Sequence, residues 1–368
     1  MIISILSLSL SSASPSHEAT ISSRLHGSML VQAPVGYEMT CTASGELGAG
    51  VQPIFQADDG TDQNRFEIGR SSDGGIHYII VSGGVTQSDR VLGQVQPGQQ
   101  FDASATWSGS TVRYTFNQVV FYETGVAVPT TWTNARYSGS VASGAAPQGG
   151  SVSGSVSNYK LLTATATPFP AYIDSFNRPD TQPGSLGTAP DGAAYDVRGP
   201  FAHSFPLPPA TQGQIQNKSF LSSVGASVVY ASKKLSFTPH EISCLVQWDR
   251  SGKHHSVETG CMVVSSSPNL IDSMVHITFT TSVANLQKRI NGGAFVTIGS
   301  LNVKLLDGAL HRVAFSLNNS VGKLTVDSQT MNVTDADLAT LSGPYVFWEI
   351  YSRDADSYPI RYYNATAN

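Results

Sequence analysis

Charge is scarce in this sequence. Asp, Glu, Lys and Arg make up 13% of 368 residues, with a net charge of −5, about half the usual charged share. The basic runs Lys233-Lys234 and Lys253-His254-His255 are short and isolated. A nucleic-acid footprint is a basic stripe, so no nucleic-acid partner is expected. Cysteine is rarer still. Cys41, Cys244 and Cys261 cannot all pair within one chain and have no C-x-x-C spacing, which argues against a zinc framework. They read as buried thiols or as one Cys244–Cys261 bridge with a thiol left over. No apolar run approaches the roughly 20 residues of a membrane span, so no membrane insertion is expected. Ala-Glu-Lys-Leu runs of the kind that build helices are also missing, while Ser, Thr, Gly and Val are abundant, which predicts a nearly all-β chain.

The N-terminal stretch also lacks something, because no Lys or Arg precedes its apolar residues. Leu6, Leu8 and Leu10 alternate with Ser7, Ser9 and Ser11, the period of a half-buried strand. An uncleaved strand is the preferred reading, and a short signal peptide the other.

Motifs of catalysis are absent too. Glycoside hydrolysis requires paired carboxylates, which on a sandwich strand take the form E-x-D-x-E so that alternate side chains share a face. Glu67 and Glu349 each stand without a second acid two residues away. No Gly-x-Ser-x-Gly elbow, His-Glu-x-x-His pair or P-loop occurs. The expectation is a chain that is not an enzyme and has no catalytic residues, no cofactor and no dedicated metal site. Calcium is the one ion considered, through the acidic loops Asp58-Asp59-Gly60-Thr61-Asp62 and Asp354-Ala355-Asp356, neither of which follows the EF-hand pattern.

What is present is an internal repeat. Tyr37-Glu38-Met39-Thr40-Cys41 matches His240-Glu241-Ile242-Ser243-Cys244, and Ser82-Gly83-Gly84-Val85 matches Asn291-Gly292-Gly293-Ala294. Further on, Pro97-Gly98-Gln99-Gln100-Phe101 matches Asp307-Gly308-Ala309-Leu310-His311, and Asn158-Tyr159-Lys160 matches Arg361-Tyr362-Tyr363. The order is the same in both halves, which is the mark of a duplicated architecture. After Gly98, Phe101, Ala103, Ala105 and Trp107 alternate with polar residues, a turn follows at Ser108-Gly109-Ser110, and Val112, Tyr114 and Phe116 alternate on the return. Val313, Phe315 and Leu317, then Asn318-Asn319-Ser320, then Leu324 and Val326 repeat the pattern, so both are hairpins with one buried face. The expectation is two tandem, internally related antiparallel β-sandwiches. Residues 1–166 form the first, 167–170 a stiff Pro-containing linker, and 171–368 the second. Only about 36 residues precede Tyr37, whereas Ala171 to Tyr230 gives the second unit a long front end.

Two segments carry a resemblance. Asp174-Ser175-Phe176-Asn177-Arg178, then Gly184-Ser185-Leu186-Gly187-Thr188, then Asp191-Gly192-Ala193-Ala194-Tyr195 resemble the D-x-F-N-R … G-S-L-G … G-x-x-W opening of concanavalin A-like jelly-roll domains of bacteriophage tail and other virion proteins, with Tyr195 in place of Trp. Asp307 to Phe315, closing at Leu324-Thr325-Val326-Asp327, is similar to the D-G-x-W-H-x-V hairpin of laminin-G-like sandwiches. The resemblance implies a virion structural protein, a tail, fibre or capsid-surface component assembled in the host cytoplasm with other virion subunits. A homo-oligomer is the expected state, with the N-terminal sandwich docking and the C-terminal one displayed. The alternative is a secreted, extracellular carbohydrate-binding module or lectin, and a glycosidase of the same fold stands third. Glycan binding requires exposed aromatic faces beside hydrogen-bonding groups. The candidate residues are Trp348, Tyr351, Arg353, Asp354 and Tyr358, with Trp132, Arg136 and Tyr137 at the corresponding place in the first copy. Core packing is the competing reading for the same aromatics. Four Asn-x-Ser/Thr sequons occur, at Asn217, Asn318, Asn332 and Asn364.

Overall fold

Alternation in the sequence becomes alternation across pleated strands. The structure, a computed structural model, describes residues 35–43, 50–61, 63–130, 134–137, 154–162, 168–182, 184–198, 213–216, 219–222, 228–248, 259–269, 272–351 and 360–368. The Leu/Ser stretch at the N-terminus, the 163–167 part of the connector, the Pro206–Pro209 loop and Lys253-His254-His255 lie outside them.

The first sandwich is built from β1 (Gly36–Ala43), β2 (Gln52–Asp58), β3 (Arg65–Arg70), β4 (Gly75–Ser82), β5 (Val85–Gln94), β6 (Gln100–Ser108), β7 (Thr111–Phe116), β8 (Val119–Glu123), β9 (Asn134–Tyr137) and β10 (Gly154–Leu162). They form two five-stranded antiparallel sheets, β10-β1-β6-β7-β8 and β5-β4-β3-β2-β9. The β6–β7 hairpin follows the sequence pattern, with Phe101, Ala103, Ala105 and Trp107 buried opposite Val112, Tyr114 and Phe116. Tyr37, Phe55, Phe66 and Trp107 pack between the sheets with ring centroids 5.3–6.3 Å apart, distances at which aromatic pairs stabilise beyond their area.

The second sandwich contains β11 (Tyr172–Asp174), β12 (Asp196–Arg198), β13 (Gly213–Gln216), β14 (Ser219–Ser222), β15 (Val228–Lys234), β16 (Glu241–Trp248), β17 (Thr259–Ser265), β18 (Met274–Phe279), β19 (Val283–Arg289), β20 (Val296–Asn302), β21 (His311–Asn318), β22 (Val321–Val326), β23 (Gln329–Thr334), a single helical turn α1 (Leu338–Leu341), β24 (Tyr345–Tyr351) and β25 (Ile360–Ala367). One sheet runs β13-β14-β25-β16-β21-β22-β23, with β11 also on β25, and the facing seven-stranded sheet runs β12-β15-β24-β17-β18-β19-β20. This nearly all-β, antiparallel arrangement has the form of a concanavalin A-like jelly roll.

The two sandwiches share one strand order. β10-β1-β6-β7-β8 corresponds to β25-β16-β21-β22-β23, and β5-β4-β3-β2-β9 to β20-β19-β18-β17-β24. Each sequence match falls on a corresponding place: Cys41 and Cys244 on the central strands β1 and β16, the two glycine-rich turns between β4 and β5 and between β19 and β20. Gly83 and Gly84 both have positive φ, 59° and 76°, as do Asn291 and Gly292 at 47° and 72°. Such two-residue turns match the right-handed twist of the flanking strands. The second sandwich differs by its front end. Strands β11 to β15 extend the edges at β25 and β24, whereas among the described residues β10 and β9 end their sheets.

The D-x-F-N-R segment ties that front end down. Asp174 Oδ1 accepts the Phe176 amide at 2.7 Å and Arg178 Nη1 at 2.8 Å, while Oδ2 accepts the Tyr195 hydroxyl at 2.8 Å. Arg178 Nε donates to the Leu186 carbonyl at 2.6 Å, and Phe176 is fully buried. Tyr195, in the place of Trp, thus supplies a hydroxyl that an indole lacks. The Asn177 side-chain amide donates across the molecule to Glu123 of the first sandwich.

The hairpin similar to laminin-G-like sandwiches closes on His311. Its Nε2 lies 2.8 Å from Asp307 and its Nδ1 2.9 Å from Asp327. Burial works against the charged imidazole, but the hydrogen bonds and charges of Asp327 and Asp307 outweigh it and hold the pKa above its ordinary value.

All three cysteines are free and buried. The Cys244–Cys261 bridge is excluded because the two thiols face opposite sides of a sheet. Cys244 points into the intersheet core with its sulfur 3.3 Å from that of Met262, and Cys261, next to Met262 on β17, points the other way.

Candidate functional site

Strand parity assigns the two faces of the seven-stranded sheet. Val229, Ala231, Met262, Val264, Val275, Ile277, Ala284, Leu286, Val346, Trp348 and Ile350 all face the second sheet in one core. Their neighbours in sequence therefore face outward. Trp348 is thus corrected as a glycan-binding residue. It is fully buried, stacked on Tyr172 at 6.4 Å and edge-on to Tyr195 at 6.1 Å, so no face of the indole meets solvent. Trp132, Arg353, Asp354 and Tyr358 lie outside the described residues, and only the backbones of Tyr137, Arg136 and Tyr351 are described, on β9 and β24. Those two strands do occupy corresponding positions in the two sheets.

The outward face has an apolar half and a polar half. Tyr230, Val263, Met274 and Phe347, with Tyr345 against them, form a separate buried cluster. Beside it stand Cys261, His276 and Glu349, followed toward the β20 edge by half-buried Thr278, Asn285, Gln287 and Arg289. Gln287 donates to Thr297 at 3.1 Å, and Ser300 donates to Asn285 at 2.7 Å. The Phe295 ring, 43% exposed, lies 4.7 Å from that of His276, with the Arg289 guanidinium 5.1 Å from its centre. Polar and aromatic groups of this kind on rigid strands are what sequence reading missed. Polar residues at alternate positions, His276 and Thr278 on β18 and Asn285, Gln287 and Arg289 on β19, are the signal that marks them.

Burial shapes the ionisation of this face. The Glu349 carboxyl is pushed up to about 7 by desolvation. Burial drives the His276 imidazole down to about 4, with Gln287 opposing and Arg289 reinforcing the shift. The two side chains approach to 3.8 Å, yet near pH 7 the imidazole is neutral and no charged pair forms. Cys261, also raised by burial, is the cross-strand neighbour of Glu349.

The outer face of the first sandwich is also self-paired. Gln56 donates to Asp58 at 3.0 Å, and Arg65 meets Glu67 at 3.3 Å. The Asp58–Asp59 loop commits its carboxylates to Gly60, Thr61 and Asn64 at 2.6–3.0 Å, as a turn-forming loop does; Asp62, Asp354 and Asp356 lie outside the described residues. A cleft of about 530 Å³ separates the sandwiches, lined by Arg90, Phe121, Gln247, Asp307 and Tyr363 among others. Its polar groups are paired within each sandwich: Arg90 with Glu123 at 2.9 Å in the first, and in the second Gln247 donates to the Gly308 carbonyl at 2.7 Å and accepts from the Tyr363 hydroxyl.

No family model matches the chain, and no curated protein matches it in sequence. Among solved structures it is similar to the laminarinase from Rhodothermus marinus, at 12% identity and TM-score 0.40 over 54% of this chain and 96% of that one. It is similar also to the Bacillus licheniformis β-glucanase, at 11% identity and TM-score 0.37 over 55% of this chain and 99% of that one. A third is the carbohydrate-binding module CBM66 from Bacillus subtilis, at 11% identity and TM-score 0.32 over 42% and 88%. The expectation of a chain that is not an enzyme does not stand, because endo-glucanases are among the structures to which the chain is similar and fold alone excludes no catalysis. The finding at this level is architectural: nearly all-β antiparallel sheets of concanavalin A-like jelly-roll form.

Proposed function

We propose that this chain binds carbohydrate through the outward face of the seven-stranded sheet. The observation that carries the reading is the half-buried row Thr278, Asn285 and Gln287 on adjacent strands, beside the exposed ring of Phe295 against His276. Side-chain amides and hydroxyls both donate and accept, as sugar hydroxyls do, and aromatic rings cover the apolar faces of a pyranose. The test is affinity electrophoresis and calorimetry against a panel of soluble glucans and mucin-type glycans. Binding is expected to weaken about tenfold, or about 1.4 kcal/mol, in Phe295→Ala and in Gln287→Ala. Unchanged affinity in both variants, or no binding across the panel, rejects the reading.

A second reading, glycoside hydrolysis, is favoured by Glu349, whose carboxyl near 7 suits a general acid at neutral pH. It requires a second carboxyl about 5–9.5 Å away. Release of reducing sugar by the parent and its loss in Glu349→Gln, with binding retained, supports it. The role of a virion component, with the first sandwich docking and the second displayed among other virion subunits, rests on the Asp174–Arg178 opening. Composition of purified particles tests it, an extracellular location being the alternative.

A further inference from the structure

We propose that Cys261, His276 and Glu349 form a three-ligand site for a divalent transition-metal ion of the zinc class. The proposal goes beyond carbohydrate binding and does not depend on it. The three residues come from adjacent strands, β18, β17 and β24, on one face of a continuous sheet. One ligand atom from each lies within 4.8 Å of the other two, and strands hold ligands more firmly than loops do. Zinc bonds of about 2.3 Å to sulfur and about 2.0 Å to nitrogen place tetrahedral ligands about 3.5 Å apart. Side-chain rotation of about an ångström therefore closes the triangle.

What the three groups do without an ion adds to the argument. His276 Nε2 and the Glu349 carboxyl, 3.8 Å apart, are too far for a hydrogen bond. The other ring nitrogen, Nδ1, is fully buried with no hydrogen-bond partner among the described residues, although buried polar groups normally have one, and a ring flip exchanges the two nitrogens. An ion between the three supplies a partner to thiolate, imidazole and carboxylate together. The mixed sulfur, nitrogen and oxygen set selects a zinc-class ion, whereas calcium and magnesium require oxygen ligands alone. On binding, the thiol proton of Cys261 and the carboxyl proton of Glu349 pass to solvent as the S–metal and O–metal bonds form.

The test uses the full chain stripped with a chelator and titrated with Co²⁺ as a spectroscopic probe, followed by Zn²⁺ competition. One equivalent is expected to bind, with thiolate-to-cobalt charge-transfer absorption that Cys261→Ser abolishes. His276→Ala and Glu349→Gln are each expected to weaken binding by at least tenfold, with circular dichroism reporting that the fold is intact. Absence of stoichiometric binding overturns the proposal, as does charge-transfer absorption that survives Cys261→Ser. Should Cys261→Ser fail to fold, unchanged affinity in the near-isosteric Glu349→Gln also overturns it. Because the readout is metal uptake alone, the result is independent of whether any glycan binds.

Discussion

Glu349 and His276 share an environment that disfavours charge on both, so they couple to stability with opposite signs. The Glu349 carboxyl is raised from 4.5 to about 7, so the folded chain holds a proton that the unfolded chain has released, and stability is lost as pH rises through that window. His276 is lowered from 6.5 to about 4, so stability is gained as pH rises from about 4 to 6.5. The two slopes oppose each other where they overlap. Glu349→Gln removes only the first. In chelator it is expected to equal the parent near pH 4 and to exceed it above pH 7 by on the order of 2–3 kcal/mol, read from urea unfolding at each pH. A difference that does not vary with pH would show that Glu349 is solvated. Zinc-class metal reverses the comparison, since the parent alone keeps the full ligand set. Trp348 carries the related lesson at this scale: its parity in the strand was legible, but which parity faced the second sheet was not.

At the scale of elements, the hairpins were legible because alternation, turn glycines and a buried face all agree. The β6–β7 and β21–β22 pairs lie where Phe101 to Phe116 and Val313 to Val326 place them. The D-x-F-N-R opening was legible as a motif but not as a network. Asp174, 1% exposed in its side chain, joins Phe176, Arg178 and Tyr195, and Arg178 reaches Leu186 in turn. Asp174→Ala takes the carboxylate from the half-buried Arg178 guanidinium and leaves the Tyr195 hydroxyl with Tyr172 alone, so a loss of about 3–5 kcal/mol is expected, with Asp174→Asn losing less. Denaturant midpoints measure it, and a loss below about 1 kcal/mol would mean that the network is dispensable.

The whole molecule is two sandwiches joined through a small polar seam. Glu123, fully buried, accepts from Ser88 at 2.5 Å, Arg90 at 2.9 Å and Asn177 of the second sandwich. Asn364 accepts from the Tyr122 amide at 3.1 Å and donates to its carbonyl at 2.6 Å, and at 2% exposure its sequon is closed to glycosylation in the folded chain. Leu245, from the second sandwich, packs into the core of the first, with Leu310 and Tyr363 partly buried against it. Asn177→Ala with Asn364→Ala is expected to split one calorimetric unfolding transition into two, because each sandwich keeps its own core while the seam loses its hydrogen bonds. A single transition in the double variant would place the coupling in the apolar contacts instead.

Composition and period by themselves determined the nearly all-β class, the duplicated architecture and the hairpins, because these follow from which residues alternate and where glycine and asparagine permit a turn. Face, partner and ionisation were decided only by tertiary structure. Cys261, His276 and Glu349 are up to 88 residues apart in the chain and meet because three strands pair in the order β18-β17-β24. Burial then shifts their titration, a property of the packed sheet that no local window of sequence contains. The same packing turned Trp348 from a candidate ligand face into core and made Asn177 a tie between sandwiches, since each depends on what lies opposite rather than on what lies adjacent.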